Sequence, residues 1–318
     1  MTRSNRRGFL NAGVAAIVTA PVAFGVTRVP IAAGRRFTMD LRCGSLGVDA
    51  DLQQAITLAA KYGFESVAPE AEFLQKLTDA ESAELVHRLK ELKLVWGAGS
   101  MPVNFRKDEA SFQSSLRQLP AQAAALQRAG VTRIGTWISP SSADLTYVAN
   151  FRMHANRLRE CVRILNDHGL RFGMEYVGPK TLWASSRHSF IHTLAETKEL
   201  IAEINEPHVG VILDSWHWYT AHETVETLKT LTNANIIACD LNDAPAGIPV
   251  DEQIDQRREL PCATGVIDLK AFLSALVEIQ YDGPIRAEPF NSALNQLENE
   301  PAVAATSEAM KTAFVLVE

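Results

Sequence analysis

The sequence predicts an α/β fold, a single-domain (β/α)8 barrel, and three observations carry that expectation. Eight short apolar runs alternate with eight longer stretches of helical periodicity, with Gly or Pro at the joints. No low-complexity linker or charge run divides the chain from Phe37 onward. The 318 residues hold a barrel of about 250 with room to spare, and a doubly wound sheet seldom reaches eight repeats.

In order along the chain, FTMDLRCGSLGV (37–48) supplies the first strand, and the helix after it carries apolar positions at Leu52, Ile56, Leu58 and Ala59. KYGFESVAPE (61–70) is the second strand, ESAELVHRLKEL (81–92) its helix and KLVWGAGSM (93–101) the third strand. ASFQSSLRQLPAQAAALQRAG (110–130) is helical, with an interruption at Pro120, which lacks the amide a continuous helix needs. VTRIGTWIS (131–139) is strand four, FRMHANRLRECVRILNDHG (151–169) a helix and LRFGMEYV (170–177) strand five. SFIHTLAETKELIAEIN (189–205) is helical, and HVGVILDSWHWY (208–219) is strand six. TVETLKTLT (224–232) is a helix, NIIACDLND (235–243) strand seven, LKAFLSALVEIQ (269–280) a helix and GPIRAEPF (283–290) strand eight. AVAATSEAMKTAFVLV (302–317) closes the chain as a helix.

Residues 1–35 differ in kind. A basic start, SNRRGFLNAG, leads into VAAIVTAPVAFGV, which is too short and too weakly apolar for a membrane span. Arg6-Arg7 followed by Gly8-Phe9-Leu10 resembles the twin-arginine signal, which implies an exported or periplasmic protein with no stable membrane insertion after processing. The alternative is a basic amphipathic N-terminus on a cytoplasmic protein. The barrel is assigned to 36–318.

A net charge of -6 and a pI near 5.8 offer no broad basic field, so nucleic acid is not expected as a partner. A small, neutral or weakly charged substrate fits better, and a homo-oligomer is compatible with everything in the composition. Cys43, Cys161, Cys239 and Cys262 are widely spaced with no CxxC pair, so neither a zinc knuckle nor a disulfide framework is suggested.

In a barrel of this type chemistry collects at the C-terminal ends of the strands. Four predicted strands end there on an acid: Glu175 in GMEYV, Asp214 in ILDSWH, Asp240 in ACDLND and Glu288 in RAEPF. A carboxylate in an apolar run is costly unless paired, hydrogen-bonded or bound to a cation. Singly, each has an ordinary alternative as an ion pair or a helix cap. Together at one barrel mouth they would repel, and a divalent ion is the simplest neutraliser.

The Glu ending strand five, the Asp-x-x-His at strand six (Asp214 to His217) and the Glu-Pro at strand eight resemble the xylose isomerase-like TIM barrels. KYGFESVAPE and the loop DLNDAPAGIPVDEQIDQRRELPCATGVIDL, with its Gly-x-Ile-Asp return, extend the resemblance over nearly the whole chain after residue 36. The resemblance implies one divalent metal ion held by Glu175, Asp214, the strand-seven residue and Glu288. Where the family carries His, this chain carries Asp240; that harder ligand favours manganese, magnesium or cobalt over zinc. It further implies that Glu175 and Glu288 act as base and acid on opposite faces of the substrate, and that His217 binds a substrate oxygen. Arg257 or Arg258 is expected to bind a substrate oxygen or to remain a solvated loop charge, and Glu70 and Trp137 are expected to line the pocket. Trp216, Trp218 and Tyr219 are either barrel packing or an apolar face for a sugar ring.

The expected function is that of a metal-dependent sugar isomerase or epimerase, abstracting a proton beside a carbonyl and stabilising the enediolate that forms. The same constellation, given a leaving group β to the carbanion, would make a dehydratase or lyase on a keto-sugar or keto-glycoside. A third reading is a non-catalytic sugar-binding barrel.

Overall fold

The computed structural model describes residues 34–318, and the predicted export leader lies outside the described residues but for its last two positions. Its strands are β1 (Thr38–Leu41), β2 (Ser66–Val67), β3 (Val95–Trp96), β4 (Gly99–Ser100), β5 (Arg133–Trp137), β6 (Ser141–Ser142), β7 (Arg171–Glu175), β8 (His188–Ser189), β9 (Val209–Asp214), β10 (Ile236–Leu241) and β11 (Pro284–Ala287). Nine of them form one parallel sheet in the order β3-β2-β1-β11-β10-β9-β7-β5-β4, while β6 and β8 make a small antiparallel pair. The two edges, β3 and β4, are consecutive pieces of the single strand predicted at 93–101, so the sheet closes on itself through Gly97 and Ala98. This is the predicted barrel. Glycine is required at the break, because a Cβ at Gly97 would collide with the Asp40 carboxylate.

Each predicted strand run contains a strand of the barrel. Strand six is shorter than expected: β9 stops at Asp214, and a helix, Ser215–Thr220, begins at once. The Asp214 side chain accepts the Trp216 amide at 2.8 Å and so caps that helix, an option open to a short acidic side chain that a valine or leucine lacks. Trp216 and Trp218 are therefore helical and buried, Trp218 against Phe272, and they serve as packing.

The outer helices follow from their caps. Asp51 and Gln54 form a reciprocal box at the start of Leu52–Tyr62, and Thr78 and Glu81 do the same for Asp79–Glu91. The predicted interruption near Pro120 appears as two helices, Glu109–Leu116 and Leu119–Arg128, with the proline in the first turn of the second. All four cysteines are free, Cys161 and Cys239 fully buried. Inside the barrel, Ile212 packs with Ala98 and Ala238 in its own small cluster. The tight space there is left by glycines: a Cβ at Gly135 would strike Ile212, and one at Gly173 would press on Ile237. Among the described residues no helix is long and apolar enough to cross a membrane.

Candidate active site

The C-terminal ends of the strands open into a cavity of about 750 Å³ lined by Glu175, Glu288, His217, Arg258, Arg286 and Trp137, among others. Parallel pairing sets Asp240 between Asp214 and Arg286, with Glu288 two residues beyond Arg286, and sets Glu175 between Trp137 and Ile212, two residues before Asp214. Two overlapping groups of donors meet there, Glu175 with Asp214 and His217, and Glu175 with Asp240 and Glu288; within each the ligand atoms lie within 4.8 Å of one another.

The four acids have different partners. Glu175 is buried, and its Oε1 has no hydrogen-bond partner. Burial, reinforced by the nearby Glu288, Asp240 and Asp214 charges, raises its proton affinity well above that of an ordinary glutamate. Asp214 is fully buried and accepts Asn242 Nδ2 at 3.0 Å on Oδ1 and Arg258 Nη1 at 2.8 Å on Oδ2. Burial outweighs the Arg258 charge and lifts it to about 7. Glu288 takes longer contacts: Arg42 Nη1 at 3.5 Å and Ser45 Oγ at 3.3 Å on Oε1, and Arg258 Nη1 at 3.5 Å on Oε2. Its pKa is raised as well, by burial first and Asp240 second.

Asp240, expected as a metal ligand, stands in the donor group with Glu175 and Glu288 and also has a protein partner. Arg286, two residues before Glu288, grips it with both Nε and Nη2, the latter at 3.0 Å, and both side chains are buried. A bidentate guanidinium satisfies a carboxylate in charge and geometry at once. Asp240 and Asp214 thus each have a buried arginine partner, Arg286 and Arg258, while Glu175 Oε1 has none.

His217 lies on the first turn after Asp214, its Nε2 3.7 Å from Asp214 Oδ2. The Gly178 amide donates to Nδ1 at 3.2 Å, and Arg258 Nη2 lies 3.4 Å from Nε2, so each ring nitrogen faces a donor. Burial drops its pKa to about 3, so the ring is neutral. It stands in one of the two donor groups, with Glu175 and Asp214, and also lines the cavity.

The structure separates the two loop arginines. Arg257 is exposed and does not line the cavity, whereas Arg258 is buried at its centre and joins Asp214, Asp255 at 2.7 Å and the Glu288 carbonyl at 3.2 Å. Glu70 is also outside: it is exposed, at the start of the helix Ala71–Lys76. Trp137 is 47 % exposed and lines the mouth.

Sequence reasoning missed four residues here. Arg42 and Arg286 balance the acids, and Asn242 bridges them, donating to Asp214 and accepting the Glu288 amide at 2.9 Å. Arg106 lines the outer wall. A period-2 signal was available for two of them, because Arg286 alternates with Glu288 and Asn242 with Asp240 on the same strand faces.

The donor set suits a hard divalent cation. Six buried or nearly buried carboxylates, Asp40, Glu175, Asp214, Asp240, Asp255 and Glu288, lie in and below the cavity, against four guanidiniums, Arg42, Arg106, Arg258 and Arg286. That surplus and the partnerless Glu175 Oε1 are what a bound cation would resolve.

This architecture defines a class before any comparison: a (β/α)8 barrel with an acidic, cation-competent site at its strand ends. Residues 56–313 match the model of the xylose isomerase-like TIM barrels, and the chain belongs to that family. Among curated relatives, an inosose isomerase of Bacillus subtilis is 28% identical over 146 residues, 46% of this chain and 49% of the relative, so the match spans about half that protein. A xylose isomerase domain protein from Alicyclobacillus acidocaldarius superimposes with a TM-score of 0.74 at 28% identity, covering 85% of this chain and 96% of that one. The IOLI protein, solved with a bound zinc atom, has a TM-score of 0.73 at 19% identity over 89% of this chain and 99% of its own, which shows the shared fold.

Proposed function

We propose that this protein is a divalent-metal-dependent isomerase or epimerase of a small carbohydrate, acting by proton transfer at a carbon beside a carbonyl. The observation that carries the reading is the pair Glu175 and Glu288, two buried carboxylates of raised proton affinity on one cavity. The family membership and the inosose isomerase relative support it. A cation held by Glu175, Asp214 and Glu288 would supply positive charge to polarise the carbonyl, and magnesium, manganese or cobalt suits these oxygens better than zinc.

The chain's own groups supply the rest. Glu175, with Oε1 free, takes the proton, and burial beside three other acids gives it the raised proton affinity that a base needs. Glu288 returns a proton from the other side of the carbon. Arg258, held by Asp214 and Asp255, stabilises negative charge on the substrate oxygens, with His217 beside it. The export reading of the N-terminal sequence adds that the reaction takes place in the periplasm.

The test is solvent exchange. In D2O, with manganese or magnesium present, wild type should wash deuterium into the carbon beside the carbonyl of a ketohexose or an inosose. Glu175→Gln and Glu288→Gln should each slow this by about a hundredfold or more. No exchange with any such ketone, or undiminished exchange in Glu175→Gln, would sink the assignment.

A further inference from the structure

Arg106 is a semi-buried arginine on the cavity wall that no carboxylate meets among the described residues; Arg88 and Arg171 also lack an ion pair there, but neither lines the cavity. Arg35, Arg133, Arg157, Arg258 and Arg286 each meet a carboxylate: Glu65, Asp282, Glu109, Asp214 and Asp240 respectively. Arg106 makes no ion pair among the described residues. Its guanidinium lies 4.5 Å from the Phe105 ring centroid and 4.2 Å from that of Trp137. Nη1 donates to Thr136 Oγ1 at 3.1 Å and to the Trp137 carbonyl at 2.7 Å. The Nε and Nη2 edge, the fork that matches a carboxylate side-on, has no protein partner among the described residues, and the residue lines the cavity. Burial without a compensating anion lowers its pKa to about 10, a cost that a bound anion would remove.

Register ties this cation to the reacting end of the cavity. The carbonyl that anchors Arg106 belongs to Trp137, the cross-strand partner of Glu175. Neighbouring parallel strands are about 4.8 Å apart, so one small molecule can reach both. A single unpaired guanidinium calls for a single negative charge. Neither a glycine-rich phosphate loop nor a free helix start supports a dianion there, since Asp108 caps the nearby helix with its own side chain.

We propose that Arg106 determines specificity for a substrate bearing a carboxylate: a polyhydroxylated keto acid whose acid group seats on Nε and Nη2 while its carbonyl end faces Glu175. The acid-binding part stands on Arg106 alone, and the placement of the carbonyl end rests on the function proposed above. This replaces the sequence-based expectation of a neutral or weakly charged substrate by one of defined charge.

The test uses the full, manganese-loaded protein and a matched pair of ketoses, D-fructuronate and D-fructose, which differ only in a carboxylate for a hydroxymethyl group. Calorimetric titration of wild type should show the uronate bound tighter by about tenfold or more. Arg106→Gln should cut the ratio to about twofold without changing D-fructose affinity, and Arg106→Lys, which keeps the charge but not the fork, should fall between. The proposal is overturned by equal affinities in wild type, by no uronate binding up to roughly 20 mM, or by a preference that survives in Arg106→Gln. A preference that disappears in Arg106→Gln, in a protein that exchanges no C–H proton with any keto acid, leaves the subsite standing and removes the proton-transfer function instead.

Discussion

Asp40 shows how a single residue carries the energetic tension of this site. It sits on β1 inside the barrel, 1 % exposed, and both carboxylate oxygens lack a hydrogen-bond partner. Burial lifts its pKa to about 7 against the pull of Arg286. The raised value means that the folded state holds this proton more tightly than the unfolded chain, whose aspartate titrates near 4. Asp40 therefore makes the folded state progressively less stable as pH rises from about 4 to about 7, by a few kcal/mol in all. Asp40→Asn removes the ionisation while keeping the shape. Denaturant unfolding should find the variant close to wild type at pH 4.5 and more stable at pH 8, by roughly 1–4 kcal/mol. An unchanged difference at the two pH values would show that Asp40 binds its proton equally in the folded and unfolded chain. The carboxylates Glu175, Asp214 and Glu288 were legible because each ends an apolar run at the level where barrels keep their chemistry. Asp40 was not, because it lies within a short strand whose burial depends on barrel closure.

At the scale of elements, the β10–β11 pairing decides what Asp240 can do. Register places Asp240 opposite Arg286, and the bidentate pair forms across the strands in a buried layer. Removing one partner leaves an uncompensated charge, so Arg286→Met should cost about 3–5 kcal/mol. The double variant Asp240→Asn with Arg286→Met should recover most of that loss, because neither charge then remains. Elemental analysis adds a second readout: the double variant should still hold close to one divalent ion per chain, whereas Glu288→Gln should lose it. Loss of the ion in the double variant would make Asp240 a required ligand. The sequence shows why this pairing was hard to see. An arginine two positions before a strand-end glutamate points to the same face, yet its partner lies on another strand and only register identifies it. The long loop between β10 and β11 was more readable. Its Gly-x-Ile-Asp return is held by Asp243, which accepts the amides of Thr264, Gly265 and Ile267 at 2.7 to 3.0 Å. That loop carries Arg258 back over the site.

For the molecule as a whole, alternation of apolar runs and helical periodicities was enough to specify the barrel, because eight repeats with short joints leave few other ways to bury both faces of a parallel sheet. Two features escaped that pattern: the split of strand three, and the early end of strand six at Asp214, where a capping bond outcompetes the β propensity of Trp216 and Trp218. Closure then gathers these acids at one mouth, where a bound cation would link metal binding to the stability of the whole chain. Below pH 6 Asp214, with a pKa near 7, keeps its proton, and a cation must displace it to bind. Above that value the carboxylate is ionised and binding carries no such cost. Chelation should therefore lower the melting temperature little at pH 5.5 and much more at pH 8. Free cation at about a hundred times its dissociation constant adds about 2.7 kcal/mol of stability. Melting curves with and without EDTA at the two pH values check this. A chelator effect that is absent, or equal at both, would mean that Arg42, Arg258 and Arg286 hold the acids without help from a metal.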